Sequence, residues 1–198
     1  MTRTHRGRAT RARIVEAAAE LMHVNGVAAT SVDAVLVRAG AGKSQFYHAF
    51  RSRDDLVRAV LDYNAAAAEG RQRALLGSRP GWSGVRAWLD AIPEVYGGDS
   101  FRGGCPVGSM AAEVGDRDPD VRRRASHAFR TQAGILAHHL EGLRSTGELR
   151  PDADCEVLAT AVVASIQGGL LLAATHGSGE PLGVALDAAW AHLARHRP

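Results

Sequence analysis

The chain has 198 residues, of which 45% are hydrophobic and only 5% aromatic, and its formal net charge is +3. This length can bury a substantial core, and the scarcity of aromatic and clustered β-branched residues argues against a protein built mainly from strands. Two cysteines, Cys105 and Cys155, exclude a disulfide framework, and the uncharged run 158–174 is shorter than the roughly 20 apolar residues that a membrane span needs. No signal-peptide pattern precedes Arg13. We therefore predict an all-α, cytoplasmic protein with no membrane segment.

The positive charge is concentrated at the N-terminus. Residues 1–60 contain ten Lys or Arg and five Asp or Glu, whereas residues 61–198 contain fourteen and sixteen. The first thirteen residues include no acidic residue but five arginines, namely Arg3, Arg6, Arg8, Arg11 and Arg13. This segment suits a flexible arm attracted to phosphate groups, although a solvated tail without a partner has the same composition.

The first sixty residues predict a compact unit of four helices. Apolar residues at helical spacing and capping residues place these helices at residues 10–25, 30–38, 43–48 and from 52 into 65–68. Asn25-Gly26 ends the first helix, and Gly40 permits a sharp turn between the second and the third. Because the fourth helix continues past residue 60, we predict a helical connection to the rest of the chain.

The remaining chain predicts a larger helical domain. After a Gly/Ser/Pro-rich break at 77–84, the pattern indicates an amphipathic helix that Pro93 can kink, and then a loop at 97–104. A scaffold helix of about six turns begins at Asp118-Pro119. We accordingly divide the chain into a first domain, residues 1–60, and a second domain, residues 61–198.

Two apolar helices near the end of the chain, at 152–176 and 181–196, suggest a subunit interface. The first of them is apolar on most faces, so it must be covered on two sides. One side can meet the core and the other a second subunit, which predicts a homodimer with a four-helix interface. Both helices can instead be core helices of a monomer.

Residues 32–50 have the pattern of a helix-turn-helix. This motif needs two short helices joined by a tight turn, with the second presenting polar side chains to base edges. Phe46 and Phe50, four residues apart, anchor the second helix, and the buried side of the first consists of Val32, Val35, Leu36 and Ala39. The side chains left to point outward are those of Lys43, Ser44, Gln45, Tyr47 and His48.

This part of the chain resembles the TetR family of one-component transcriptional regulators. The resemblance covers about residues 10–60, and its motifs are Thr30-Ser31-Val32-Asp33-Ala34-Val35-Leu36, Arg38-Ala39-Gly40 and Lys43-Ser44-Gln45-Phe46-Tyr47-His48-Ala49-Phe50. Farther on, the segment 102–113, Arg-Gly-Gly-Cys-Pro-Val-Gly-Ser-Met-Ala-Ala-Glu, is more loosely similar to the LmrA/YxaF-type branch. Gly42, Ala49 and Arg51 depart from the residues usual in the family, but glycine is an accepted helix cap and an added arginine is compatible with DNA.

The resemblance implies a dimeric repressor that binds palindromic operator DNA. It implies that Tyr47 and Arg53 contact phosphates, and that the major groove is read by lysine, which donates to guanine, and glutamine, which pairs with adenine. The implied DNA-binding residues are Thr30, Ser31, Lys43, Ser44, Gln45, Tyr47, His48 and Arg53.

The resemblance also implies an apolar cavity in the second domain for an unknown small-molecule effector. Binding there would favour a state in which the two DNA-binding heads no longer fit successive major grooves, about 34 Å apart. For any one of the candidate ligand-binding residues plain core packing is the more frequent explanation, because apolar stripes at helical spacing are usually core. The candidates are Trp88, Ile92, Tyr96, Met110, Phe129, Ala133 and Gln167.

The sequence contains no recognisable catalytic motif. A nucleophile elbow, a Walker-type phosphate loop and a His-Glu-x-x-His helix are all missing, and we predict no cofactor. The pair His192 and His196 and the pair His138-His139 lack a third ligand, so we predict no metal site. Two alternatives stay open at this point: a helical enzyme that processes a small molecule, and a protein that associates with DNA without sequence preference.

Overall fold

The predicted all-α class is confirmed. The computed structural model describes residues 3–198, apart from the side chains of residues 3, 4 and 99, and this part of the chain contains helices and no strand. The helices are α1 (Arg3–Asn25), α2 (Val32–Ala39), α3 (Lys43–Ala49), α4 (Arg53–Gly77), α5 (Trp82–Tyr96), α6 (Pro106–Val114), α7 (Pro119–Ser145), α8 (Cys155–His176) and α9 (Glu180–Ala194), with a 3₁₀ turn at Gly98–Phe101.

The chain divides into two compact units, and neither is continuous in sequence. The N-terminal unit combines the residues through Ala66 with Pro106–Ala125, and the C-terminal unit combines Ala67–Cys105 with Ser126–Pro198. The division therefore falls within α4 and within α7, whereas the sequence pattern placed a single boundary at residue 60. The difference arises because α6 packs with the N-terminal helices, a long-range association that chain order does not reveal.

Local signals explain most helix ends in the N-terminal unit. Gly26 follows α1 with a φ of +84°, and Gly40 follows α2 with a φ of +57°, both in the left-handed region that glycine adopts without steric cost. The cap of α2 is Ser31 rather than the predicted Thr30, because the Ser31 hydroxyl accepts a hydrogen bond from the Ala34 amide at 3.1 Å. The α1 helix also starts at Arg3, so the described part of the predicted flexible arm is helical.

Capping residues also position the long helices that follow. The Asp118 carboxylate accepts hydrogen bonds from the amides of Asp120 (2.9 Å) and Val121 (3.3 Å) at the start of α7. Asp154 does the same for α8, which ends at Gly177 with a φ of +62°. The α6 helix was not predicted, since its nine residues follow a glycine-rich stretch and carry only a short apolar pattern.

The two last helices pack closely against each other. A Cβ atom added to Gly169 of α8 would lie 2.9 Å from the Cβ of Ala185 and 3.0 Å from Leu182 Cδ1 on α9, so glycine permits the close approach that the sequence predicted. By length and hydropathy α8 could cross a bilayer, but its inner face is buried in the C-terminal unit. Its outer face exposes apolar side chains, among them Val157 and Leu171.

Candidate functional site

The short helix α3 exposes one polar face and buries an aromatic one. Phe46 and Phe50 are 1% and 2% exposed, and their rings pack 5.4 Å apart between centroids. The five side chains predicted to point outward are all exposed, with Tyr47 at 71%: Lys43, Ser44, Gln45, Tyr47 and His48. The aromatic anchors thus hold α3 on the unit while its polar face stays free to meet a surface.

Two of the outward residues also stabilise the start of α3. The Gln45 amide oxygen accepts a hydrogen bond from the backbone N–H of Gly42 at 2.9 Å, which satisfies a donor that glycine cannot cap with a side chain. The Lys43 ammonium lies 3.2 Å from the Asp33 carboxylate, in an ion pair exposed on both sides. Gln45 keeps its amide NH₂ group and Lys43 remains solvated, so both can still donate to a partner.

The structure places Thr30 and Arg53 in internal contacts. Thr30 is 3% exposed, and its hydroxyl donates to the Gly26 carbonyl at 2.8 Å, so its side chain supports the turn after α1. Arg53, at the start of α4, is half-buried and donates to the carbonyls of Val27 and Thr30. Its guanidinium therefore stabilises the same turn, whereas the family resemblance assigned it to a phosphate.

Arginines of α1 flank the polar face of α3. Arg6, Arg8 and Arg11 line an open groove together with Ser44, Gln45, Tyr47, His48 and Ala49. The Arg11 guanidinium also lies 5.0 Å from the centre of the Phe50 ring, a cation–π distance that ties α1 to the anchor of α3. The N-terminal unit thus presents cationic side chains beside the exposed polar face, as phosphate binding requires.

A glutamate of α6 holds the turn between α1 and α2. The Glu113 carboxylate accepts hydrogen bonds from the backbone N–H groups of Val27 at 2.7 Å and Ala28 at 2.6 Å. Gly26 leaves room for it, since a Cβ there would lie 3.2 Å from the carboxylate. The sequence showed Glu113 only as part of the 102–113 resemblance, because nothing in a linear pattern indicates an acceptor for amides about 85 residues away.

The C-terminal unit contains a small, partly open cavity of about 40 Å³, below the roughly 300–1,000 Å³ typical of sites for drug-sized ligands. Its apolar wall is formed by Ala68, Leu75, Trp88, Ala91, Ile92, Val95 and Ile166, and its polar groups belong to Arg71, Gln72, Tyr96, Gln132 and Gln167. Helices α4, α5, α7 and α8 all contribute residues, so the cavity exists only in the folded unit.

The structure brings together four of the seven predicted ligand-binding residues. Trp88, Ile92, Tyr96 and Gln167 line the cavity, whereas Phe129 and Ala133 are not among its lining residues. Met110 belongs to the N-terminal unit, where its sulfur accepts from the Asn64 amide at 3.7 Å. The sequence missed all the lining residues of α4, above all Arg71 and Gln72, because the pattern presented this helix only as a connection. The other lining residues that it missed are Ala91, Val95, Gln132 and Ile166.

The surroundings of Tyr96 in the cavity favour its neutral form. Burial raises the pKa of the Tyr96 hydroxyl, an interaction with Cys105 raises it further, and the nearby Arg71 guanidinium opposes the increase. The phenol is therefore uncharged at neutral pH. Among the residues of the structure with described side chains, no group of three or more His, Cys, Asp and Glu is placed to hold a metal ion.

Comparison with known proteins identifies both parts of the chain. The model of "Bacterial regulatory proteins, tetR family" matches residues 14–60, and the model of "Tetracyclin repressor-like, C-terminal domain" matches residues 81–189. The transcriptional regulator AcuR of Cereibacter sphaeroides is 28% identical over 171 residues, 85% of this chain and 78% of AcuR. The regulator LmrA of Bacillus subtilis is 26% identical over 175 residues, 87% of this chain and 90% of LmrA.

Solved structures agree with the sequence matches. A TetR transcriptional regulator from Chloroflexus aurantiacus has a TM-score of 0.85 and 26% identity, with 98% of each chain covered. The reduced form of E. coli NemR has a TM-score of 0.83 and 26% identity, with 91% of this chain and 95% of NemR covered. The polar face of α3, the apolar cavity and these matches lead to one conclusion: the chain belongs to the TetR family of transcriptional regulators.

Proposed function

We propose that this regulator is a dimeric repressor that binds palindromic operator DNA through α3 and leaves it when a small-molecule effector occupies the C-terminal cavity. The observation that carries the proposal is the polar face of α3, whose outward residues are exposed while Phe46 and Phe50 fix the helix from behind. A regulator of this kind works in the cytoplasm, where its DNA is, and needs no catalytic step.

Each exposed residue of α3 has a chemistry that suits DNA. Lys43 can donate to guanine, the free NH₂ of Gln45 can donate to adenine N7, and Ser44 and His48 can bond to base edges. The Tyr47 hydroxyl and the arginines of α1 suit phosphate oxygens. The Ser31 hydroxyl, which accepts from the Ala34 amide, can still donate to one. Thr30 and Arg53 act indirectly, by stabilising the turn after α1.

The dimer is supported by the outer face of α8 and α9. Val157, Leu171 and Leu172 of α8 and Val184 of α9 are large apolar side chains that remain exposed in the single chain, Leu171 at 67% and Val184 at 66%. Large apolar side chains exposed on two neighbouring helices are typical of a surface that another protein covers. A second copy of α8 and α9 would cover it in a four-helix interface, and two α3 helices could then enter successive major grooves.

The proposal is tested by binding of the full chain to DNA from its own promoter region. We expect an affinity that falls steeply with salt concentration, because phosphate contacts release counterions. We also expect operator DNA to be preferred over DNA of scrambled sequence. Equal affinity for both sequences would support association with DNA without sequence preference, and turnover of a small molecule without DNA binding would support the enzyme alternative.

Variants of Gln45 separate base recognition from helix capping. Gln45→Ala removes both the cap on Gly42 and the amide donor, whereas Gln45→Glu keeps an acceptor for the Gly42 N–H and removes only the donor. We expect both variants to lose the preference at one base pair by about 1–3 kcal/mol. Measuring the ratio of affinities for operators that differ at that base pair cancels the charge that Glu adds. An unaltered ratio in both variants contradicts base reading by Gln45.

A further inference from the structure

One glutamine in the wall of the C-terminal cavity has an amide oxygen without a partner. Gln72 of α4 is 2% exposed, and its amide nitrogen donates to the backbone carbonyl of Gln132 on α7 at 3.0 Å. Because a carbonyl can only accept, this bond fixes the orientation of the amide. The Gln72 Oε1 atom is buried and has no hydrogen-bond partner in the described part of the chain. Buried acceptors are paired in most proteins, so this one points to a donor from outside the chain.

The other lining residues restrict the charge of that donor. Among the lining residues with described side chains there is no Asp or Glu and one charged residue, Arg71, so none of them would compensate a cation. An anionic group beside Gln72 Oε1 would bring two electron-rich oxygens together. Trp88, Ile92 and Ile166 supply apolar surface for the rest of the ligand.

We propose that the effector is a largely apolar compound with an uncharged hydroxyl or N–H group that donates to Oε1 of Gln72. This inference rests on the proposed function, because it names the ligand class of the same cavity. Gln72 then acts as the residue that selects between apolar compounds of similar shape. A site with a buried acceptor rejects an analogue that lacks the donor, because its own polar group stays unpaired.

Matched pairs of probes test the selection directly. Indole and benzofuran share a bicyclic shape, but only indole has an N–H donor; phenol and fluorobenzene form a smaller pair. Calorimetry or ligand-detected NMR on the full chain without DNA should show the donor of at least one pair binding about fivefold more tightly than its analogue, which is the effect of one hydrogen bond to a buried group. Equal affinities within both pairs, or binding of none of the four probes, overturn the proposal.

Two variants of α4 locate the effect. Gln72→Met keeps the length of the side chain and removes the acceptor, so the preference for the donor should disappear. The control is Arg73→Met, at an exposed residue of the same helix that is not among the lining residues, and it should leave the preference intact. A preference that survives Gln72→Met, or that is lost equally in both variants, contradicts the assignment. The comparison of probes on the unaltered chain decides the matter even if Gln72→Met does not fold.

DNA binding is measured separately, so the two proposals can fail independently. If the probes show the preference but no operator is bound, the ligand class stands and the repressor function falls. If operator DNA is bound and released by a compound without a donor, the repressor function stands and the role of Gln72 falls.

Discussion

The carboxylate of Glu113 offers a sharp test of how α6 stabilises the DNA-binding unit. It accepts hydrogen bonds from the amides of Val27 and Ala28 at 2.7 and 2.6 Å. In Glu113→Gln only one oxygen remains to accept, and the NH₂ group faces the other amide N–H. A hydrogen bond to a charged group contributes about 1.5–3 kcal/mol, but this carboxylate is exposed and screened by solvent, so we expect a loss of about 1–2 kcal/mol in the free energy of unfolding.

Urea unfolding followed by circular dichroism measures this loss as a lower midpoint with an unchanged slope. For a chain of this size the melting temperature should fall by roughly 2–4 °C for each kcal/mol. The matched control is Glu16→Gln, which neutralises an exposed glutamate of α1 in the same unit. If both variants unfold at the same urea concentration, the two amide contacts add nothing to stability and the reasoning is refuted.

Three further predictions concern the dimer, the packing of α8 and the dependence of stability on pH. Leu171→Glu places a charge on the outer face of α8, so light scattering should show a mass near the 20.9 kDa of one chain. The control Val24→Glu, at an exposed valine of α1, should remain dimeric. Equal masses for the two variants contradict the interface. Gly169→Ala should lower the free energy of unfolding by about 1–3 kcal/mol, because the added Cβ would lie 2.9 Å from the Cβ of Ala185. The control Gly142→Ala, where a Cβ on α7 meets no atom beyond its own helix backbone within 4 Å, should raise the free energy of unfolding by about 0.5–1 kcal/mol. A higher free energy of unfolding in both variants contradicts the close packing of α8 against α9. Burial lowers the pKa of His23 from its usual 6.5, so the unfolded chain takes up a proton first and stability falls as the pH drops below that value. Replacement by glutamine, His23→Gln, should reduce the loss between about pH 7.5 and 5.5, as measured by urea unfolding, and an undiminished loss would show that other groups cause it.

The sequence was sufficient to predict the helix-turn-helix because its signals are local. The signals lie close together in the sequence: Phe46 and Phe50 are four residues apart, the residues between and before them in the second helix are mostly polar, and Gly40 marks the turn. The stops at Gly26 and Gly177 and the start of α7 at Asp118-Pro119 are local in the same sense. Such features depend on backbone conformation and nearby hydrogen bonds, which a short segment specifies by itself.

The roles of single polar residues were harder to predict because they depend on distant partners. Arg53 follows the recognition helix, where a phosphate contact is reasonable, yet the fold offers it the carbonyls of Val27 and Thr30. Thr30 has the spacing of a helix cap, but the adjacent Ser31 takes that role and Thr30 is buried. In each case the fold supplies an internal partner that the order of residues does not reveal. A phosphate contact by the rest of the Arg53 guanidinium stays a prediction.

The sequence by itself determined that this chain is helical, that residues 32–50 form a helix-turn-helix, and that polar residues of α3 face outward, because periodicity and caps are properties of contiguous segments. Only the tertiary structure decided that Glu113 of α6 holds the turn after α1, and that Gln72, a residue lining the cavity, has a buried amide oxygen without a partner in the described part of the chain. Both depend on residues about 60 to 86 positions apart meeting in space. The hydrogen bonds that result follow from the packing of whole helices, which no segment of the sequence encodes alone.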